Sequence, residues 1–204
     1  DLDRTTLNAH GHLSEGNYNA LCNAIENGVH IVIASGRSFD TLPKDVLAVP
    51  GIEYAITSNG AAVYHIPTKT CLHEYKMTPA SIECIIQVAE KHQTALEVFI
   101  DGTAYALKAY VEDPVSYGTT PQAIPYVQST RNPVDDIVSF IREHIDHIDS
   151  MDIVVSGDQQ KKLIWDELKL NCDEIYITSS VSQLIEISHK DAGKHSGLRF
   201  IREH

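Results

Sequence analysis

Basic residues are scarce in this sequence of 204 residues. Lys and Arg number 16 against 28 Asp and Glu, so the formal net charge at pH 7 is −12. This acidic balance argues against a protein that binds nucleic acid or an anionic membrane, because both partners are negatively charged. A small anionic substrate stays compatible with it, since one site can be locally positive on a negative protein.

Long apolar runs and paired cysteines are also absent. No apolar run approaches the roughly 18 residues of a membrane span, and no stretch has the pattern of a signal peptide. None of the cysteines belongs to a Cys-x-x-Cys pair; they are Cys22, Cys71, Cys84 and Cys172. Their wide spacing predicts reduced thiols and a cytoplasmic protein.

The first third of the chain alternates helical and strand patterns. Ser14 is placed to cap a helix over about 15–27, and Gly28 is placed to end it. Short runs rich in β-branched residues at 29–34 and 53–57 predict two buried parallel strands. Such α/β patterning gathers loops at the carboxyl ends of the strands, where these folds bind ligands.

A second block with a different pattern begins near residue 79. The dipeptide Asp101-Gly102 between two strand-like runs is a strong signal for a type I′ hairpin. The patterns further predict a helix at 39–48 that Pro43 interrupts. They also predict helices at 79–92, 134–146, 159–170 and 194–204, strands at 62–64, 71–75, 95–100, 103–108, 151–155, 174–178 and 183–187, and loops at 6–13 and 109–132. A block of this size can carry its own core. We therefore predict an α/β core of residues 1–78 and 188–204, with residues 79–187 inserted as an α+β domain.

The first five residues, Asp1-Leu2-Asp3-Arg4-Thr5, hold two carboxylates close together. At a strand end this spacing points both side chains to one side. Like charges repel, and a divalent cation removes that cost because hard cations prefer carboxylate oxygens. A metal site with one acid as nucleophile and a solvated N-terminal segment both fit the pattern, and these five residues alone favour the second.

Three further motifs stand at the ends of predicted elements: Ser35-Gly36-Arg37, Ser58-Asn59-Gly60-Ala61, and Lys194 within Gly193-Lys194-His195. Together with Asp1-x-Asp3, and in this order, they resemble the haloacid dehalogenase-like phosphohydrolases. The resemblance is to the Cof-type branch, which has a large α/β cap between its second and third motifs. It spans the whole chain, and it implies a Rossmann-like core with residues 79–187 as the cap.

The resemblance also implies roles for four residues. Asp1 matches the nucleophile that forms an aspartyl phosphate, and Asp3 matches the general acid that protonates the leaving oxygen and then activates water. Ser35 matches the hydroxyl that hydrogen-bonds the phosphoryl group. Lys194 matches the cation that offsets the charge of the nucleophile and the phosphate. These four residues together suit phosphoryl transfer, which needs mainly positioning and charge neutralisation.

The resemblance implies Mg²⁺ as the cofactor, held by the Asp1 carboxylate and the Asp3 backbone carbonyl. Gly36, Arg37 and Asn59 are expected at the substrate site. Two alternatives stay open: Arg37 either grips the substrate or pairs with a core carboxylate, and Asn59 either lines the crevice or satisfies turn backbone.

The sequence departs from the family pattern at several positions. The family usually has Gly where this chain has Arg4 and His195, and we expect Arg4 to point to solvent. Lys190 competes with Lys194 for the motif position, and the flanking residues favour Lys194. The pair His10-x-His12 is expected to be solvated rather than to bind metal.

The acidic fourth motif of the family, which supplies the remaining metal ligand, is not found after Lys194. The strand expected before Asp1 is not found either. We therefore expect these 204 residues to belong to a longer protein and, alone, to be inactive and to bind Mg²⁺ weakly.

The resulting expectation is a Mg²⁺-dependent phosphatase acting on a small phosphorylated metabolite, with a sugar phosphate as the class the resemblance favours. One alternative is a phosphomutase or other phosphotransferase of the same superfamily. Another is a non-catalytic binding or regulatory protein that kept the fold, for which the missing acidic motif is the best support. Neither a nucleic-acid partner nor a membrane is expected, and the patterns do not specify the oligomeric state.

Overall fold

The chain forms two compact units in a computed structural model that describes residues 1–8 and 10–204. One unit is Asp1–Tyr75 with Ala192–His204, and the other is Lys76–Asp191. The corresponding boundaries predicted from the sequence follow residues 78 and 187. Ala9, within the loop predicted at 6–13, lies outside the described residues.

The helices and strands follow one another along the chain in mixed order. They are α1 (Glu15–Glu26), β1 (Val32–Ala34), α2 (Lys44–Leu47), β2 (Tyr54–Thr57), β3 (Ala62–His65), β4 (Thr70–Glu74), α3 (Pro79–Lys91), β5 (Ala95–Ile100), β6 (Thr103–Leu107), α4 (Lys108–Glu112), α5 (Ile124–Thr130), β7 (Asn132–Val134), α6 (Ile137–Glu143), β8 (Ile148–Val154), α7 (Asp158–Asn171), β9 (Ile175–Thr178), β10 (Leu184–His189) and α8 (Lys194–Glu203). Within the described residues, no helix is both long enough and apolar enough to span a membrane.

The first unit is built on a four-stranded sheet in the order β1-β2-β3-β4. β1 and β2 are parallel neighbours, with Val32 opposite Tyr54, which confirms the prediction for these two runs. β3 and β4 continue the sheet antiparallel. The apolar core of this unit is made by Leu2, Leu7, Ile33, Leu42, Val46, Val49, Ile52 and Ala55.

Helix α1 begins and ends where the sequence predicts. The Ser14 side chain accepts a hydrogen bond from the Asn17 N–H, which satisfies one of the unpaired donors of the first turn. Gly28 has a φ of +81°, the left-handed conformation that closes helices at glycine. The helix predicted at 39–48, with an interruption at Pro43, is a short 3₁₀ turn followed by α2, because proline removes a donor and clashes with the preceding turn.

The second unit contains a six-stranded sheet in the order β7-β6-β5-β8-β10-β9. One face packs against α3, α6 and α7 around an apolar core that includes Ile85, Ile141 and Ile164. The hairpin between β5 and β6 turns at Asp101 and Gly102, both with positive φ, which confirms the predicted turn. Sheet and helices together give this unit a core of its own.

The other face of that sheet carries carboxylates. Glu97, Asp152 and Glu186 lie directly opposite one another on β5, β8 and β10, and all three are buried. Arg131 donates two hydrogen bonds to Glu97, at 2.8 and 2.6 Å. Tyr110 donates a third, at 2.8 Å, so both oxygens of Glu97 accept hydrogen bonds in the interior.

The prediction of a loop over 109–132 is wrong. The segment contains most of α4 and all of α5, with two 3₁₀ turns between them. Tyr110 and Val127 from these helices are buried in a small apolar cluster of the second unit. The helices are short and each turn between them begins at a proline, so tertiary packing rather than a helical repeat holds the segment.

The prediction of four reduced thiols is also wrong. Cys84 on α3 and Cys172 at the end of α7 form a disulfide, with Cα atoms 5.7 Å apart and 88 residues between them in sequence. The pairing arises because α3 and α7 pack against each other, which sequence spacing does not reveal. Within the described residues, Cys22 and Cys71 form no disulfide.

Candidate functional site

The two chain segments of the first unit, Asp1–Tyr75 and Ala192–His204, are joined by an ion pair. Lys194 is the first residue of α8, and its Nζ donates a hydrogen bond to the Asp1 Oδ1 at 2.8 Å. Both side chains keep access to solvent, with 38% of Lys194 and 48% of Asp1 exposed. Lys190, the competing lysine, pairs with Glu174 in the second unit. The structure therefore brings Lys194, and not Lys190, to the first carboxylate.

The position of Lys194 depends on a contact between two glycines. The turn after β2 has three successive residues with positive φ, Ser58 at 47°, Asn59 at 56° and Gly60 at 102°. A Cβ built on Gly60 would lie 2.1 Å from the backbone carbon of Gly193. Only glycine permits so close an approach of two backbones. The contact holds Gly193, the residue before Lys194, against the turn that follows β2.

The acidic segment forms a tight turn over Leu2–Thr6. The N–H of Leu7 donates to the carbonyl of Leu2 at 2.9 Å, and Thr6 Oγ1 donates to the Asp1 carbonyl at 2.7 Å. Arg4 has a φ of 58°, which reverses the chain and ends the alternation of a strand.

Arg4 occupies a conformation that favours glycine, the residue usual at this family position. Its side chain is exposed, as predicted, and so is that of His195, the other departure. The exposed His10 and His12 also match the expectation of solvated histidines.

Asp3 is held by Arg37 from the loop after β1. The Nε of Arg37 donates to Asp3 Oδ2 at 2.9 Å, and Nη2 donates to Oδ1 at 2.8 Å. Nη1 donates to the Thr41 carbonyl at 3.0 Å. Of the two alternatives for Arg37, the structure shows a pairing with a carboxylate, and that carboxylate is Asp3.

The loops after β1 and β2 are joined by hydrogen bonds. The buried Ser35 accepts from the Arg37 N–H at its Oγ, at 3.2 Å, and from the Asn59 N–H at its carbonyl, at 3.1 Å. The Ser58 N–H donates to the Arg37 carbonyl at 2.9 Å. Parallel neighbouring strands end at the same sheet edge, which brings these loops together.

The structure does not bring every predicted site residue to the acids. No hydrogen bond joins Ser35 or Gly36 to Asp1 or Asp3 among residues 1–8 and 10–204. Ser58 opens the predicted motif Ser58-Asn59-Gly60-Ala61 but was not among the predicted site residues. Its Oγ is buried without a hydrogen-bond partner in the described chain, which could not be predicted because only three-dimensional packing shows that a serine hydroxyl is buried.

The oxygens of Asp1 and Asp3 are of the chemical type that binds hard divalent cations. Carboxylate and carbonyl oxygens are the protein ligands Mg²⁺ prefers, and Mg²⁺ retains water at its remaining positions. Both carboxylates are about half exposed, so a hydrated ion can reach them. Each also contacts a cation, Lys194 or Arg37. The cluster thus combines two carboxylates with positive charge, an arrangement suited to binding and attacking an anionic group.

A family model and several solved structures match this chain over its whole length. A sequence model described as haloacid dehalogenase-like hydrolase matches residues 1–204. A haloacid dehalogenase-like hydrolase from Bacillus subtilis superposes with a TM-score of 0.77 at 19% identity, over 100% of this chain and 76% of the other. A haloacid dehalogenase-like hydrolase from Bacteroides thetaiotaomicron gives 0.76 at 19% identity, over 100% and 74%.

Two other similar proteins carry functional names. The HAD subclass IIB sugar phosphatase BT4131 superposes with a TM-score of 0.76 at 14% identity, over 100% of this chain and 74% of the other. The phosphatase YwpJ of Bacillus subtilis (strain 168) is 30% identical over 106 residues. That match covers 52% of this chain and 36% of YwpJ, so it spans little more than a third of the relative.

Proposed function

Because this chain belongs to the haloacid dehalogenase-like hydrolase family, we propose that it is a Mg²⁺-dependent phosphatase using an aspartyl-phosphate intermediate. The observation that carries the proposal is the hydrogen bond of 2.8 Å between Lys194 Nζ and Asp1 Oδ1. A solvent-accessible carboxylate beside a lysine is suited to attack a phosphate, because the cation offsets the repulsion between two anions. Asp3, two residues away, supplies the second acid.

In the first step, an Asp1 carboxylate oxygen attacks phosphorus, and the bond from phosphorus to the ester oxygen breaks. Asp3 gives its proton to that leaving oxygen, which departs as an alcohol. In the second step, Asp3 takes a proton from water while the water oxygen attacks phosphorus, which frees Asp1 and inorganic phosphate. Lys194 stays beside Asp1 and compensates the negative charge that gathers there.

Mg²⁺, when bound, would neutralise phosphate charge. The Asp1 carboxylate and the Asp3 carbonyl are the groups of this chain that would hold it. Ser35 is proposed to hydrogen-bond the phosphoryl group, with Gly36 and Asn59 at the substrate site. Arg37, the third residue expected there, is instead paired with Asp3.

We propose a small phosphorylated metabolite as substrate, and a sugar phosphate as its class. The sugar-phosphatase name of one structural neighbour supports this class, as does the resemblance in the site motifs. The second unit, as a cap that selects the substrate, is part of the same proposal. No observation favours a phosphomutase over a phosphatase, since both begin with the same phosphorylation of Asp1.

The test is a phosphatase assay of the intact protein that carries this chain, on a panel of phosphorylated metabolites with and without Mg²⁺. Asp1→Asn should lower kcat by about three orders of magnitude or more, because an amide cannot form the acyl phosphate. Asp146→Asn is the matched control, since Asp146 is an exposed acid of the second unit. Near-normal turnover in Asp1→Asn would refute the mechanism, and absence of phosphate release from every ester would refute the activity.

A further inference from the structure

The contact between Arg37 and Asp3 has the geometry of a fixed fork. Two parallel N–H groups of the guanidinium meet the two oxygens of one carboxylate, at 2.9 and 2.8 Å. A bidentate pair of this kind fixes the plane and the rotation of the carboxylate as well as its distance. Lysine cannot reproduce it, because an ammonium group is a point charge without a planar fork.

Arg37 is the fixed partner of this pair. Its side chain is only 11% exposed, whereas that of Asp3 is 54% exposed. The Thr41 carbonyl accepts from Nη1 at 3.0 Å, and the Arg37 backbone is bonded to Ser35 and Ser58. Asp3, by contrast, lies on a tight turn at the surface, so the less exposed and more tightly bonded arginine determines where its carboxylate lies.

We propose that Arg37 is a positioning residue for Asp3. This proposal rests on the proposed role of Asp3 as the general acid. A carboxylate has about four lone-pair positions, and Arg37 uses one on each oxygen. Each oxygen therefore keeps another position at which it can hold or take a proton. The arginine orients the acid without occupying all of its accepting capacity.

A positioning role and a substrate-binding role for Arg37 have different consequences when the residue is removed. If Arg37 gripped the phosphate, its removal would weaken binding of every phosphate ester and of inorganic phosphate. If it positions Asp3, its removal misplaces the proton donor and leaves phosphate binding intact. A misplacement of about 1 Å at a reacting group can cost about 100-fold in rate.

The experiment compares Arg37→Met, Arg37→Lys and wild type in the intact protein with Mg²⁺. Release of the leaving group in the first turnover is measured with 2,4-dinitrophenyl phosphate and with the best alkyl phosphate of the panel. Dinitrophenolate leaves without a proton, whereas an alkoxide needs one. The inhibition constant of inorganic phosphate reports phosphate binding directly.

Arg142→Met is the matched control. Arg142 makes the same type of fork with Glu83, at 2.9 and 3.0 Å, on the surface of the second unit. Thermal unfolding of each variant shows whether it is folded. The double variant Asp3→Asn with Arg37→Met tests whether the two residues act through one step.

The expected result is a loss of about 100-fold for the alkyl ester in Arg37→Met, with little loss for the dinitrophenyl ester. Arg37→Lys should show the same pattern to a smaller extent, the phosphate inhibition constant should stay unchanged, and Arg142→Met should match wild type. In the Asp3→Asn background, removal of Arg37 should cost nothing further.

Equal losses for both esters, with weaker inhibition by phosphate, would overturn the inference and assign Arg37 to the substrate. Additive losses in the double variant would overturn it as well. If a variant of Arg37 does not fold, the same measurements on Arg37→Lys decide. If Asp3→Asn retains full turnover of the alkyl ester, or wild type hydrolyses neither ester, the proposed function itself fails and the inference falls with it.

Discussion

Gly60→Ala should disrupt the close backbone contact between Gly60 and Gly193, which positions Lys194. At this position φ is +102°, and an added Cβ would lie 2.1, 2.2 and 2.5 Å from the carbon, oxygen and nitrogen of Gly193. These are backbone atoms, so no side-chain rotation relieves the overlap. The left-handed conformation costs about 1–2 kcal/mol in a residue with a Cβ, and overpacking costs about 1–3 kcal/mol. The free energy of unfolding should therefore fall by about 2–5 kcal/mol.

The assay is urea unfolding of the intact protein, with the free energy of unfolding taken from the linear dependence on urea. Gly16→Ala is the control, because Gly16 lies inside α1 and a Cβ there meets no atom within 4 Å. That change should stabilise by about 0.5–1 kcal/mol, as expected for glycine to alanine in a helix. If Gly60→Ala unfolds like wild type, the close approach of Gly60 and Gly193 is not a feature of the protein.

Three further changes have expected outcomes. Arg4→Gly should leave the thermal midpoint of unfolding unchanged or raise it, because glycine adopts the φ of 58° at this position without strain. A clear drop in the thermal midpoint would contradict the left-handed conformation of residue 4. Cys84→Ser should lower the free energy of unfolding by about 3–5 kcal/mol in oxidised but not reduced protein, since the disulfide to Cys172 restrains a long loop. Burial and the neighbouring Glu186 raise the pKa of Asp152 well above its ordinary value near 3.8. The native state therefore binds the extra proton, stability should fall as pH rises above that value, and Asp152→Asn should flatten this fall in urea titrations at several pH values.

The disulfide also bears on location. The cytoplasmic prediction followed from reduced thiols, whereas disulfides persist mainly in oxidising compartments. Trapping the thiols in cells with an alkylating reagent measures the state of Cys84 and Cys172. Free thiols on both would favour the cytoplasm, and a blocked pair would favour an oxidising compartment.

Local patterns predicted the parts of the fold that local chemistry dictates. The cap at Ser14, the left-handed Gly28 and the Asp101-Gly102 turn each follow from the conformational preferences of the residues themselves. The parallel pairing of 29–34 with 53–57 follows from β-branched runs separated by a helix. These signals lie within a few residues of the structure that they specify.

Features that depend on distant contacts were missed. The helices within 109–132 are held by burial of residues such as Tyr110, and their short, proline-rich sequence resembles a loop. The disulfide joins cysteines 88 residues apart. The Arg37–Asp3 fork was foreseen only as one of two alternatives, because the sequence cannot specify which carboxylate a buried guanidinium reaches.

The most direct test of the proposed function is to trap the phosphorylated nucleophile. The intact protein is mixed with Mg²⁺ and its best substrate, quenched in acid during turnover, digested and analysed by mass spectrometry. One phosphoryl group is expected on Asp1, lost on treatment with base and absent from Asp1→Asn. A phosphoryl group on another residue, or steady turnover without any phosphorylated protein, would refute Asp1 as the nucleophile.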